Sequence, residues 1–177
     1  MRKTEREIKD PQTVAALLQR AEYVHLCLWD GEKPYAVPVS FGYQDGALYF
    51  HGSHKGRKAE CLRVCDRVAF SVVVEYSLSR QPKACDYTAH FKSVCGVGRA
   101  TFVEDPAGKR RALDIVMRQY GGPEGRYTDE ALGATCVVRL DVEELTGKAN
   151  PPWQGDAVLD DAPEELSGEG ERLSSVD

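Results

Sequence analysis

The sequence predicts a mainly-β domain of the α+β class: an antiparallel six-stranded barrel with two or three flanking helices. Three observations carry that expectation. Strand formers recur in short runs separated by turn dipeptides. Helical spacing is confined to brief segments, two of which open on Asp-Pro. Successive hairpins favour closing the sheet into a barrel over leaving it open.

Each element follows from its residues. Asp10-Pro11 opens the first helix, because Asp accepts the free N–H groups of a helix start and Pro tolerates the first helical position. Val14, Leu17, Leu18 and Ala21 follow at helical spacing. Tyr23 to Trp29 is a strand ending at Asp30-Gly31, a hairpin turn; Tyr35 to Tyr43 reads as the return strand. Asp45-Gly46 offers a second turn and Ala47 to His51 a third strand, so these three predict an antiparallel meander. Lys58 to Val64 reads as a short helix with Ala59 and Leu62 on its apolar side. Val68 to Val74 is a buried strand, and Tyr76 to Asp86, with Pro82 and no clear period, a loop. Phe91 to Val103 is a strand whose Gly96 and Gly98 mark a bulge, a bend or a close approach. Asp105-Pro106 opens a second helix, carried by Ala112, Leu113, Val116, Met117 and Tyr120 and stopped by Gly121-Gly122-Pro123. Thr135 to Val142 is the last strand.

A chain of 177 residues is long enough for one core without staples. Residues 1–153 are read as the domain and 154–177 as an acidic, flexible tail whose composition buries little. A net charge of -5 argues against general nucleic-acid binding. No apolar run approaches a membrane span and the charged start lacks a signal segment, so a cytoplasmic address is expected. The six cysteines contain no CxxC pair and are read as reduced; Cys27, Cys95 and Cys136, in apolar runs, are read as small buried hydrophobes.

The most informative stretch is Leu48 to Lys58, where a strand runs through Gly52 and Ser53 into a helix start crowded by Lys55, Arg57 and Lys58. A helix start already carries partial positive charge, so cations there are a local conflict that a bound phosphate resolves. Gly52 and Gly56 let backbone approach, and the Ser53 hydroxyl can donate. The alternative is a solvated basic turn.

Phe50 to Lys58 resembles the phosphate-binding segment of the FMN-binding split barrels, the superfamily of pyridoxamine 5′-phosphate oxidase. The nearer resemblance is to its nitroimidazole-resistance-like branch. It rests on the charged start Arg2 to Asp10, Pro34 to Tyr43, Tyr49-Phe50-His51, Gly56-Arg57-Lys58, Ala84-Cys85, Ser93-Val94, Gly98 and Thr146-Gly147-Lys148, in consistent order over residues 1–153. The resemblance implies a six-stranded split β-barrel that binds FMN, with haem as the alternative known in related barrels. Val37, Pro38, Val39, Ser40 and Phe41 would line the isoalloxazine ring, largely through backbone. Lys58 and the Ser53–His54 loop would hold the phosphate, with Lys55 or Arg57 assisting and His51 and Gly56 beside them. Ser93 and Val94 would lie at a two-fold homodimer interface whose partner completes the pocket, and Lys148 and Trp153 would cover the ring or its substrate face. Pro38 suits an edge strand, having no N–H to offer a ladder. Ser40 stands where that family often has Asn, and His90-Phe91 where a different pair is usual. The arginine-rich substrate motifs of the oxidase proper are absent, so pyridoxamine phosphate is not the expected substrate.

The expected activity is FMN-dependent reduction of a small nitroaromatic or quinone-like acceptor, with NAD(P)H as donor docking transiently, since no GxGxxG accompanies a βαβ unit. The competing class is a flavin- or haem-binding protein for storage or sensing, with His51 or His54 as the axial ligand and His25 a structural residue. His51, His54, Cys61 and Cys65 match no common zinc spacing, and no metal site is expected. Cys85 beside His90 is a weak nucleophile candidate lacking an orienting third group.

Overall fold

A computed structural model of the protein describes residues 3–123 and 125–153; the expected acidic tail lies outside them. In chain order the elements are β1 (Glu7–Ile8), α1 (Pro11–Arg20), β2 (Val24–Trp29), β3 (Pro34–Val39), β4 (Gly42–Gln44), β5 (Ala47–Ser53) and α2 (Arg57–Val64). There follow β6 (Arg67–Ser79), β7 (Thr88–Val103), α3 (Pro106–Gln119), α4 (Asp129–Ala134) and β8 (Thr135–Asn150). Every strand pairing is antiparallel, in the order β3-β2-β6-β7-β8-β5-β4, with β1 added to β8.

The class is the expected one, but the sheet is open and has eight strands. Its edges, β3 and β4, do not pair, yet only Ser40 and Phe41 separate them in sequence. Two edges so joined lie close at that corner, so the sheet curls into a barrel split along one seam. The predicted single strand Tyr35 to Tyr43 is therefore broken, and the meander with it: β3 pairs only with β2, and β5 with β4 and β8. Helix α3 accounts for the break. The Phe41 N–H donates to Tyr120 Oη, and the Gly42 backbone lies so near α3 that a Cβ there would sit 2.6 Å from the Ile115 carbonyl oxygen.

Two other extents differ. Strand β6 runs on to Ser79 and pairs with the start of β7, so part of the predicted loop is a β-arm. Strand β8 continues to Asn150, past the acidic Glu143-Glu144. The glycine reading holds: β7 and β8 slip register between Val97 and Gly98, and a Cβ on Gly96 would strike the Phe70 ring.

The helix ends behave as their residues require. Asp10 accepts from the Gln12 and Thr13 N–H groups, and Asp105 from Gly108 N–H. At the end of α3, Gly121 takes φ +63° while Gly121 and Gly122 N–H return to Arg118 and Met117 carbonyls, the paired bonds of a Schellman stop.

Strand alternation fills the interior. Val24, Leu26 and Leu28 point inward to meet Phe50, Phe70, Val72, Val94 and Leu140, and α1 covers them with Leu17 and Leu18. Each such side chain contributes about 1.5–3 kcal/mol on burial. A smaller cluster, Ala112, Leu113, Leu132 and Val137, seats α3 and α4. The opposite parity of β2 carries His25, Cys27 and Trp29 outward. Hence Cys27 and Cys95 are exposed, contrary to the expectation from their apolar neighbours, whereas Cys136 and Cys61 are buried; all six are free thiols.

Candidate functional site

At the end of β5 the chain turns through Ser53, His54, Lys55 and Gly56 into α2. Gly56 has φ +115°, open space around its Cα, and no side chain to cap the helix. Among the described residues the other three α-helices carry side-chain caps from Asp10, Asp105 and Thr128. The first turn of α2 thus presents its N–H groups with no side-chain acceptor, a preformed feature for an anion.

Lys58 leans back over this turn. Its Nζ donates to the His51 carbonyl oxygen at 2.9 Å and stands 5.5 Å from the centre of the Phe50 ring. Any side chain on Gly52 would collide with it, a Cβ there lying 2.8 Å from Nζ. Among the described residues Lys58 has no carboxylate partner, and half-burial pulls its pKa down. Burial and then the nearby Lys58 charge lower the pKa of His51, whose imidazole remains partly accessible at the surface. His54 differs: its Nε2 is buried without a hydrogen-bond partner among the described residues, and its carbonyl accepts from Arg63. Ser53 Oγ accepts the Lys55 N–H, and the Lys55 side chain is exposed.

Arg57 points elsewhere. Its guanidinium pairs with Asp30 at 2.9 Å and lies 4.6 Å from the centre of the Tyr35 ring. Asp30 also accepts the Glu32 and Lys33 N–H groups, and its pKa is lowered to about 2, first by those backbone bonds and then by Arg57. The start of α2 is thereby held beside the start of β3.

Strand β3 is an edge, so alternate backbone groups on its free side have no sheet partner. Val37 and Val39 face the core, Pro38 and Ser40 face out, and Phe41 is wholly buried, so Phe41 offers only backbone to a surface ligand. The loop, α2 and β3 form one contiguous region.

Ser93, Val94, Lys148 and Trp153 lie apart from it. Ser93 stands opposite Lys148 on β8, whereas His51 stands opposite Val137, roughly 35 Å of strand away at ~3.3 Å per residue. Val94 is buried in the core and Ser93 half-exposed. Lys148 Nζ lies 5.7 Å from the centre of the Phe91 ring and has no carboxylate partner among the described residues. Beside them a cleft of about 650 Å³ is walled by Glu75, His90, Phe91, Lys92, Asn150 and Trp153. There Lys92 pairs with Glu75 at 2.8 Å and stands 4.7 Å from the Trp153 ring centre. One chain therefore does not bring all the predicted site residues together.

Among the described residues no three of His, Cys, Asp and Glu converge as metal ligands. Cys85 meets Asp86, with no hydrogen bond to His90. Reasoning from sequence missed Asp30, Tyr35 and Tyr120, which brace the region. Asp30-Gly31 signalled only a turn, and Tyr120 only an apolar helix position.

These features are those of a small split-barrel protein with an anion-ready loop, and the chain belongs to the pyridoxamine 5′-phosphate oxidase family, whose sequence model matches residues 10–149. Similar solved structures include a candidate 5-nitroimidazole antibiotic resistance protein from Bacteroides thetaiotaomicron, with 33% identity, TM-score 0.74, and 81% and 86% of the two chains covered. The flavocytochrome Anf3 from Azotobacter vinelandii shares the fold at 22% identity, TM-score 0.72, over 95% and 88%. An FAD and haem binding protein from Mycobacterium smegmatis does so at 22% identity, TM-score 0.73, over 86% and 77%. No curated protein matches the sequence significantly. No helix among the described residues is long and apolar enough to cross a membrane.

Proposed function

We propose that this protein binds FMN and uses it to reduce a small aromatic or nitroaromatic acceptor, drawing electrons from NAD(P)H. The observation that carries the reading is the half-buried, carboxylate-free ammonium of Lys58 over the uncapped first turn of α2. A buried cation without a counter-charge is costly, and a phosphate placed there supplies the counter-charge and accepts the free N–H groups. Gly56 keeps the entrance clear, and the exposed Lys55 adds attraction from solvent.

The edge strand β3 supports the same reading. With the phosphate anchored at α2, a planar ring laid along Val37 to Ser40 meets unpaired backbone groups, and Pro38 removes one donor from that edge. Bound flavin supplies the hydride and electron chemistry; the residues described here bind it, orient it and shield it. Lys148, Ser93 and the Trp153 cleft belong to the same pocket when a second copy presents them, so the working unit is a homodimer, placed in the cytoplasm.

A second reading has its own support. His51 is accessible and its pKa is lowered, which favours the neutral imidazole, the form that ligates iron; of the proteins with the same fold, one is named for FAD and haem and another is a flavocytochrome. The absorption spectrum of the purified protein separates the two. Flavin bands with FMN released on denaturation support the first reading, and a Soret band supports the second. Anaerobic bleaching by NADH or NADPH, reversed by a nitroaromatic, establishes the reductase; failure to bleach with either donor overturns it.

A further inference from the structure

Among the described residues strand β3 has a sheet neighbour on one side only, yet both of its ends are tied by side chains from distant elements. At its start, Arg57 from α2 bonds Asp30 in the β2–β3 turn and stacks over Tyr35 on the strand. At its end, Tyr120, the residue that caps α3, accepts the Phe41 N–H at 3.0 Å and donates to the Glu22 carbonyl oxygen at 2.6 Å. Beside it, Gln119 accepts the Tyr43 N–H and donates to the Leu18 and Ala21 carbonyls. These two residues at the end of α3, Gln119 and the cap Tyr120, thus grip the exit of α1, the entry of β2 and the corner between β3 and β4.

We infer that Tyr120 and the Arg57–Asp30 pair are positioning residues for the flavin ring: they hold the edge strand at the distance from α2 at which one ligand reaches both. The inference rests on the flavin reading above and assigns Arg57 a role other than phosphate contact. An edge strand held along one side and free at its ends can slide or peel. Two clamps, one from α2 and one from α3, remove that freedom. A ring resting on strand backbone then meets donors and acceptors already in place, which lowers the ordering cost of binding.

The test uses the full chain, stripped of cofactor and titrated with FMN and, separately, with riboflavin, which lacks the phosphate. Tyr120→Phe and Asp30→Asn are compared with the original protein. Loss of a strand-positioning hydrogen bond is expected to weaken FMN and riboflavin by the same factor, roughly tenfold, and to change the fine structure of the bound-flavin spectrum. Amide hydrogen exchange of the ligand-free variants is expected to quicken within residues 34–41, with the core of β6 and β7 unchanged. Equal affinities, an unaltered spectrum and unaltered exchange in variants that lose only melting temperature would make both contacts purely structural and overturn the inference. Selective loss of FMN with riboflavin retained would make Arg57 a phosphate ligand and overturn it equally. If the original protein binds neither compound, the flavin reading falls and the positioning role falls with it; that outcome is distinct, because it appears before any variant is made.

Discussion

Lys58 places its ammonium 2.9 Å from the carbonyl oxygen of His51, seven residues earlier in the chain, and no carboxylate answers its charge among the described residues. The side chain is thus folded back along β5 and held ready at the first turn of α2. In the flavin reading proposed above, replacing it with alanine removes one charge-assisted contact to the phosphate. Lys58→Ala is expected to weaken FMN by roughly 10- to 100-fold while changing riboflavin little. Fluorescence titration with the two compounds checks it, and equal loss of both would place the phosphate elsewhere.

Asp30 gives a prediction in acid. Its folded pKa is lowered to about 2 by the Lys33 and Glu32 N–H groups and then by Arg57, against an ordinary aspartate value of about 3.9. A depressed carboxylate stabilises the fold above its unfolded pKa and loses that contribution as pH falls through the folded one. The melting-temperature gap between the original protein and Asp30→Asn is therefore expected to be full above about pH 4 and to close towards pH 2. The pair is exposed, so salt should shrink the gap as well. A gap constant across this range would mean that the charge of Asp30 contributes nothing.

These two residues also show what could be read from the chain alone. The cations around Lys58 were visible because they contradict the local rule for helix starts, and a contradiction stands out without any tertiary knowledge. The caps at Asp10 and Asp105 and the stop at Gly121 are local chemistry and were equally legible. Arg57 was legible as a cation but not as Asp30's partner, since the contact joins residues 27 positions apart. The break at Ser40-Phe41 was hidden for the same reason: Pro34 to Tyr43 has continuous strand character, and only α3, far along the chain, divides it. Cys27 and Cys95 were misjudged because apolar neighbours in a strand point to the opposite face.

Gly42 tests that explanation of the strand break. A Cβ there would lie 2.6 Å from the Ile115 carbonyl oxygen, 2.7 Å from its carbon and 2.8 Å from Val116 N, all backbone of α3. No rotamer change relieves such a contact; helix and strand must separate. Gly42→Ala is expected to cost about 1–3 kcal/mol, the usual range for overpacking, and to lower the midpoint of denaturant unfolding with an unchanged slope. The same substitution at Gly46 meets nothing within 4 Å but must adopt φ +75°, so it measures backbone strain alone, about 1–2 kcal/mol. Should Gly42→Ala prove as stable as the original, the packing of α3 does not set the break.

The separation of His51 from Lys148 along β8 yields the last prediction. In a two-fold dimer the phosphate loop of one copy can meet Lys148 and the Trp153 cleft of the other, and each dimer then has two equivalent pockets. Lys58→Ala damages the loop side of both pockets, and Lys148→Glu the opposite side of both, so each variant alone should bind flavin poorly. In a mixed dimer of the two, one pocket carries both substitutions and the other carries neither. Co-expression with different affinity tags, followed by isolation of the doubly tagged species, is expected to recover tight binding at about half the sites. Recovery of none, in a species confirmed as a mixed dimer, would show that both lysines serve the same pocket from one chain, and undiminished binding by Lys148→Glu alone would show that Lys148 serves no pocket. Sedimentation of the original protein as a monomer at the concentration of the binding assay would exclude sharing altogether.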